Sequence, residues 1–132
     1  MILGIGTDMV RISRIESSMA KSPDALAKRV LTAKEFKLFA SSPAPAAYLA
    51  KRFAVKEAAS KAFGTGIGKI SWQELEVVSN EAGAPALHCF GEAKKRLTAM
   101  GADRIDVSIA DESDLALAFV VISRSLQPLP NR

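Results

Sequence analysis

Apolar positions at the head of the chain fall in two short clusters, Ile2-Leu3-Ile5 and Met9-Val10-Ile12, around two glycines and an aspartate, which predicts a buried strand. Ser13-Arg14-Ile15-Glu16 has the form of a capping box and predicts a short helix through Met19. Ser22-Pro23-Asp24 predicts a second helix with proline at its first position and Leu26, Val30 and Leu31 turned inward. Thr32-Ala33-Lys34-Glu35 repeats the capping box ahead of an apolar face made by Phe36 and Phe39. After the loop Ser41-Ser42-Pro43-Ala44-Pro45, the strongest helical pattern runs from Ala46 to Phe63 and stops at Gly64. Gly64-Thr65-Gly66-Ile67-Gly68 is a glycine-rich turn, and Leu75-Glu76-Val77-Val78 alternates like a half-buried strand. A turn from Asn80 to Pro85 leads into the apolar run Leu87 to Phe90, and Gly91 to Met100 reads as a helix closed by Gly101. Ile105 to Ile109 and Leu115 to Ile122 predict a hairpin around Asp111-Glu112-Ser113-Asp114. This order predicts an α+β fold, with a small, mainly antiparallel sheet packed on one long and several short helices.

A chain of 132 residues suits one domain, expected over residues 1–126, with the proline-containing segment 127–132 as a frayed tail. Hydrophobic residues at 48 % and charged residues at 24 % are the balance of a soluble globular protein. The single cysteine, Cys89, excludes an internal disulfide and suits a reducing, cytoplasmic setting. The apolar N-terminus is interrupted at Asp8 and lacks a basic flank, so it reads as neither a signal peptide nor a membrane span. A net charge of +4 favours an anionic partner without choosing among a nucleotide, RNA and an acidic protein.

Placed at about 100° per residue, the long helix gathers Ala54, Val55, Ala58 and Ala62 in one sector, a face of small side chains that admits close approach. Phe53, Lys56, Glu57, Ser60, Lys61 and Gly64 fall opposite. Glu57 and Lys61 stand i,i+4 in the favourable order, which an exposed ion pair would explain equally well. The stripe runs into Gly64-Thr65-Gly66, whose amides could meet a phosphate, with Arg52 and Lys56 as further cations; a helix-ending glycine is the simpler account of Gly64. Asp8, between small residues in an apolar strand, is either a turn aspartate or, with Glu57, half of an oxygen-rich Mg²⁺ site.

The run Ile5-Gly6-Thr7-Asp8-Met9-Val10 with Arg14-Ile15, followed by Arg52-Phe53-Ala54-Val55-Lys56-Glu57-Ala58-Ala59-Ser60-Lys61-Ala62-Phe63-Gly64-Thr65-Gly66-Ile67, resembles the holo-acyl-carrier-protein synthases, the short single-domain 4′-phosphopantetheinyl transferases. The resemblance extends to Gly83-Ala84-Pro85 and Val107-Ser108-Ile109. It implies the 4′-phosphopantetheinyl transferase-like fold and Mg²⁺-dependent transfer of phosphopantetheine from coenzyme A to a serine of acyl carrier protein, releasing adenosine 3′,5′-bisphosphate in support of fatty acid biosynthesis. It further implies Asp8 and Glu57 as metal ligands and Lys61 on the pyrophosphate, these three forming the catalytic set. Arg52, Gly64, Thr65 and Gly66 would lie around the nucleotide and its phosphates, Pro85 on the adenine side, and Arg14 on the surface facing the carrier protein. The serine proton would pass to Glu57 or to a metal-bound water held by a carboxylate. Family members assemble as homotrimers with active sites between subunits.

Two departures stand out. Arg11 occupies a position where most relatives carry glutamate, which leaves the metal shell one acidic neighbour short and adds a cation near the expected carrier-protein surface. Asp111 follows Ser108-Ile109-Ala110 where some relatives have histidine, so that histidine's phosphate contacts do not carry over. His88 lies elsewhere and reads as an edge-strand residue, and Trp72 as packing. The competing class, a small RNA- or nucleotide-binding module, is disfavoured by an aromatic content of 6 % without closely spaced stacking pairs. Neither nucleic acid nor a membrane is an expected partner.

Overall fold

The computed structural model describes residues 1–126, so the expectation of a frayed segment 127–132 lies outside the described residues. Strand β1 (Ile2–Arg11) leads directly into α1 (Ile12–Lys21), followed by α2 (Ala25–Val30), α3 (Ala33–Ser41) and the long α4 (Pro45–Phe63). A 3₁₀ turn at Trp72–Glu74 precedes β2 (Leu75–Ser79) and β3 (Pro85–Cys89); α5 (Gly91–Met100), β4 (Arg104–Glu112) and β5 (Leu115–Ser123) complete the order. The strands form two antiparallel sheets rather than one, β1-β5-β4 and β2-β3.

The core lies between the three-stranded sheet and α4. Alternation along β5 turns Ala116, Ala118, Val120 and Ile122 into the core, while Val10 and Gly6 do the same on β1. The small face of α4 meets them as its spacing predicts, with Ala54, Val55, Ala58 and Ala62 buried. The closeness of this contact is set by two glycines: a Cβ at Gly6 would collide with the Ala58 carbonyl oxygen, and one at Gly4 with that of Ala62. Removing a side chain here lets the backbone of β1 lie against α4, which brings Asp8 up to the helix.

Local signals hold at Thr32, whose hydroxyl accepts from Glu35 N while Glu35 reaches back, and at Gly64, whose φ of 76° is the left-handed stop of α4. Others are overruled. Ser13 does not cap α1: the helix starts at Ile12, and its first amides are satisfied from the β4–β5 turn, with Ile12 N donating to Asp114 O at 2.7 Å and Ser13 N to Asp114 Oδ1 at 2.9 Å. A carboxylate placed there also suits the positive end of the helix. Arg11 is therefore the last residue of β1 and does not share a helical face with Arg14. Pro23 precedes α2, whose N-cap is Asp24. Strand β2 is buried on both faces at Leu75, Glu76 and Val77; Glu76 is accommodated because it accepts from the Thr32 hydroxyl at 2.6 Å. Trp72 packs, its ring stacked on Phe53 at 5.1 Å. No described helix is long and apolar enough to cross a membrane.

Candidate active site

Asp8 comes from the middle of β1, and Glu57 and Lys61 from successive turns of α4. Lys61 Nζ donates to the Thr7 carbonyl at 2.9 Å and to Asp8 Oδ1 at 3.2 Å. The i,i+4 reading of Lys61 is thus corrected: its ion-pair partner is Asp8, across the strand–helix contact, and not Glu57. Asp8 is mostly covered, whereas Lys61 is half in solvent. The Glu57 carboxyl group accepts no hydrogen bond among the described residues. Its pKa is pushed above the ordinary value first by burial and then by the Asp8 charge, with Lys61 pulling the other way.

Glu57 feels the repulsive charge of Asp8, which Lys61 only partly offsets and a cation shared by the two carboxylates would relieve. Among the described residues no group of three or more His, Cys, Asp or Glu side chains could hold a metal ion. A pair of hard oxygen donors nevertheless fits Mg²⁺, which ordinarily takes one or two carboxylates and fills its octahedron with water and substrate phosphate oxygens. The residues present therefore suit that ion and no thiolate- or imidazole-seeking metal.

Lys56 is corrected most sharply. Rather than adding a cation to the stripe, its ammonium is wholly buried, donating to Glu35 Oε1 at 2.6 Å, Val30 O at 2.7 Å and Trp72 O at 3.1 Å. Burial lowers its pKa, partly offset by Glu35. Helix α4 is covered on this side too, by α2, α3 and the 3₁₀ turn, so a polar position on the helical projection need not be solvated. Arg52, one turn earlier, is also buried, its guanidinium 4.4 Å over the Tyr48 ring and its Nε without a partner.

The Gly64-Thr65-Gly66 amides have acceptors within the chain. Gly64 N donates to Lys61 O at 3.0 Å, and Thr65 N and Gly66 N both donate to Ser60 O at 3.2 Å. These amides satisfy the carbonyls that every helix leaves open at its C-terminus. Pro85 opens β3 opposite Ser79, on the two-stranded sheet. Arg14 is exposed on α1, where it lines an open concavity of about 410 Å³ with Ser13, Ser17, Ser18 and Lys21. Asp111 pairs with Lys51 of α4 at 3.5 Å. His88 is an exposed residue of β3, opposite Glu76.

Residues missed in the sequence are Glu35, Asp114 and Arg96. Glu35 was visible only as a cap residue, yet it also accepts from Val77 N at 2.8 Å. Arg96 of α5 donates from Nε to the Phe63 carbonyl at 3.1 Å, at the end of α4, and no local signal marks it.

A model of the 4′-phosphopantetheinyl transferase superfamily matches residues 4–120. A holo-[acyl-carrier-protein] synthase of Shewanella pealeana is 50 % identical over 129 residues, covering 92 % of this chain and 98 % of its own. The crystal structure of the holo-[acyl-carrier-protein] synthase from Neisseria meningitidis superposes with a TM-score of 0.88 at 42 % identity, over 94 % of this chain and 100 % of that one. A holo-(acyl-carrier-protein) synthase from Bacillus anthracis in complex with CoA (3′,5′-ADP) superposes at 0.78 with 34 % identity, over 95 % and 99 %. With the family model, the sequence identity and the fold in agreement over nearly the whole chain, the chain belongs to the holo-acyl-carrier-protein synthase family of the 4′-phosphopantetheinyl transferase superfamily.

Proposed function

We propose that this protein transfers the 4′-phosphopantetheine group of coenzyme A to a serine hydroxyl of an apo acyl carrier protein, with Mg²⁺, releasing adenosine 3′,5′-bisphosphate. The observation that carries this reading is the convergence of Asp8 and Lys61, joined at 3.2 Å, with a Glu57 whose pKa is raised by burial and then by the Asp8 charge. The serine oxygen forms a bond to the phosphorus nearer the pantetheine, and the bond from that phosphorus to the oxygen bridging to the adenylate side breaks. Such transfers ask for positioning and charge neutralisation more than for covalent help. Asp8 and Glu57 would hold Mg²⁺, which when bound offsets charge on pyrophosphate oxygens. Lys61, half in solvent, can turn its remaining N–H to the leaving phosphate. Glu57, its pKa raised by burial and then by the Asp8 charge, suits the removal of the serine proton.

The sheet supports the homotrimer. Its face away from α4 exposes Ile5 at 60 %, Met9 at 61 %, Leu117 at 41 % and Phe119 at 43 %. Apolar side chains contiguous on one face suit burial against further copies of the chain. Asp8 is on the same strand, so assembly through this face would place the site beside a subunit boundary. Arg14 and Lys21 on α1 suit an acidic carrier protein, and the half-buried thiol of Cys89, its pKa pushed up to about 12, suits a protein of the reducing cytoplasm.

Mass spectrometry of an apo carrier protein incubated with this protein, coenzyme A and Mg²⁺ tests the reading. It should show one added phosphopantetheine group per carrier, and none in EDTA. An unmodified carrier under all conditions removes the proposal.

A further inference from the structure

The β4–β5 hairpin sends one carboxylate to each of the two helices that carry Glu57 and Arg14. Asp111 meets Lys51 of α4 at 3.5 Å. Asp114 serves the start of α1 three times. Its carbonyl oxygen accepts from Ile12 N at 2.7 Å, and its carboxylate accepts from Ser13 N at 2.9 Å and from the Ser13 hydroxyl at 2.6 Å. Between Asp111 and Asp114 lies Ser113, whose φ of 52° is the one positive value outside glycine among the described residues. Side chains rarely adopt that conformation unless neighbouring contacts hold it, and the bonds from Asp114 to α1 are contacts of that kind. Helix α1 depends on them in turn. It follows β1 with no intervening loop, no side chain of its N-cap residue caps it, and it buries only Ile12 and Ile15. Asp8 and Arg14 each stand three residues from Arg11, the last residue of the strand, so the angle at this junction sets one against the other.

We propose that Asp114 is a positioning residue for carrier-protein docking. By capping α1 from the hairpin, it holds the helix at the angle to β1 that presents Arg14 and Lys21 to the carrier while Asp8 stays in the site. The assignment rests on the transfer reaction above. Helix starts are stabilised when a side-chain oxygen accepts from their open amides, and here a residue about a hundred positions away supplies that oxygen. Without the carboxylate, the docking-ready arrangement of α1 becomes a minority state, and the apparent affinity for the carrier falls by the fraction that remains. The expected donor contacts lie on α4 and the turn after it, so coenzyme A binding is spared.

The test measures KM for carrier protein and for coenzyme A in the wild type, Asp114→Ala, Asp114→Asn and Ser13→Ala, at low and high salt. Asp114→Ala should raise the carrier KM about tenfold, as for a helix start correctly placed about a tenth of the time, and leave the coenzyme A KM unchanged. Its ratio to wild type should persist in high salt, because the loss is one of geometry and not of charge. Asparagine keeps an oxygen that can accept from Ser13 N, so Asp114→Asn should recover most of the loss. Ser13→Ala should raise the carrier KM by less, and should add nothing in the Asp114→Ala background. The Ser13 amide should exchange with solvent faster in Asp114→Ala, while the amides of α4 keep their protection. An unchanged carrier KM in Asp114→Ala, or equal weakening toward both substrates, overturns the assignment. So does a lowered carrier KM in both Asp114 variants, which would show that the carboxylate only repels an acidic carrier. Should Asp114→Ala fail to fold, Ser13→Ala decides, and a carrier KM at the wild-type value overturns the assignment. A wild type that modifies no carrier protein overturns the transfer reaction instead.

Discussion

Lys61 on α4 and Asp8 on β1 are joined by a 3.2 Å ion pair, although a carboxylate one helical turn away, Glu57, is available to Lys61 on its own helix. The strand is close enough for this because Gly4 and Gly6 bring its backbone against the carbonyls of Ala62 and Ala58. Thr7 adds its carbonyl at 2.9 Å, so the lysine finds two acceptors on β1. Glu57 is left without a direct ion-pair partner among the described residues, and its pKa is raised first by burial and then by the Asp8 charge, with Lys61 opposing both.

Lys61→Met should lose at least about 100-fold in turnover, on the scale of a removed charge contact to a reacting phosphate. Thermal or urea unfolding should shift by no more than about 1 kcal/mol, since the lysine is half exposed and such pairs are screened. A variant with normal turnover and a small stability loss would show that Lys61 only tethers the strand.

Glu57→Gln should abolish most turnover while making the metal-free protein more stable at neutral pH. Burial and Asp8 raise the folded-state pKa of Glu57, so its ionised form opposes folding; the favourable contribution is present below the ordinary glutamate range and is lost as pH rises through the folded value. The gain in melting temperature should therefore shrink as pH falls through that range. Added Mg²⁺ should raise the melting temperature of the wild type more than that of this variant or Asp8→Asn. A Glu57→Gln protein less stable than wild type at every pH contradicts this account.

Lys56→Met should cost about 3–5 kcal/mol in denaturant unfolding, because it strands the Glu35 carboxylate in the interior. Adding Glu35→Gln should cost less than the sum of the single changes, as expected for a coupled buried pair. If Lys56→Met unfolds like wild type but fails to bind coenzyme A, the lysine belongs to the ligand site and not to the scaffold.

Arg14→Glu should raise the KM for carrier protein roughly tenfold, equivalent to about 1.4 kcal/mol, and leave the KM for coenzyme A and the saturated rate unchanged. Added salt should weaken the wild type in the same manner, since exposed charges act mainly on encounter and are screened. Arg11→Glu separates two roles for the strand's last residue: an effect on carrier-protein KM places it on that surface, whereas an effect on Mg²⁺ dependence places it near Asp8. An Arg14→Glu variant impaired only toward coenzyme A would move the docking surface elsewhere.

Features written in short-range chemistry were legible in the chain alone. The Thr32–Glu35 capping box, the left-handed stop at Gly64, the β4–β5 hairpin and the small face of α4 each depend on a few neighbouring residues or on one helical period, and each is present. The pairing of a strand aspartate with the Glu57–Lys61 turn of α4 was legible as motif, though not as geometry. Tertiary structure decided which partner each polar group received. Asp114, about a hundred positions away from Ser13, displaced the local cap of α1 because a carboxylate delivered by the hairpin turn serves two of the helix's groups at once. Lys56 left the solvated stripe because three other elements close over that side of α4 and supply a carboxylate and two carbonyls. The helix's own carbonyls accept from the Thr65 and Gly66 amides. A projection of one helix says which residues share a face, but only packing determines whether water, a carboxylate or a carbonyl stands opposite that face.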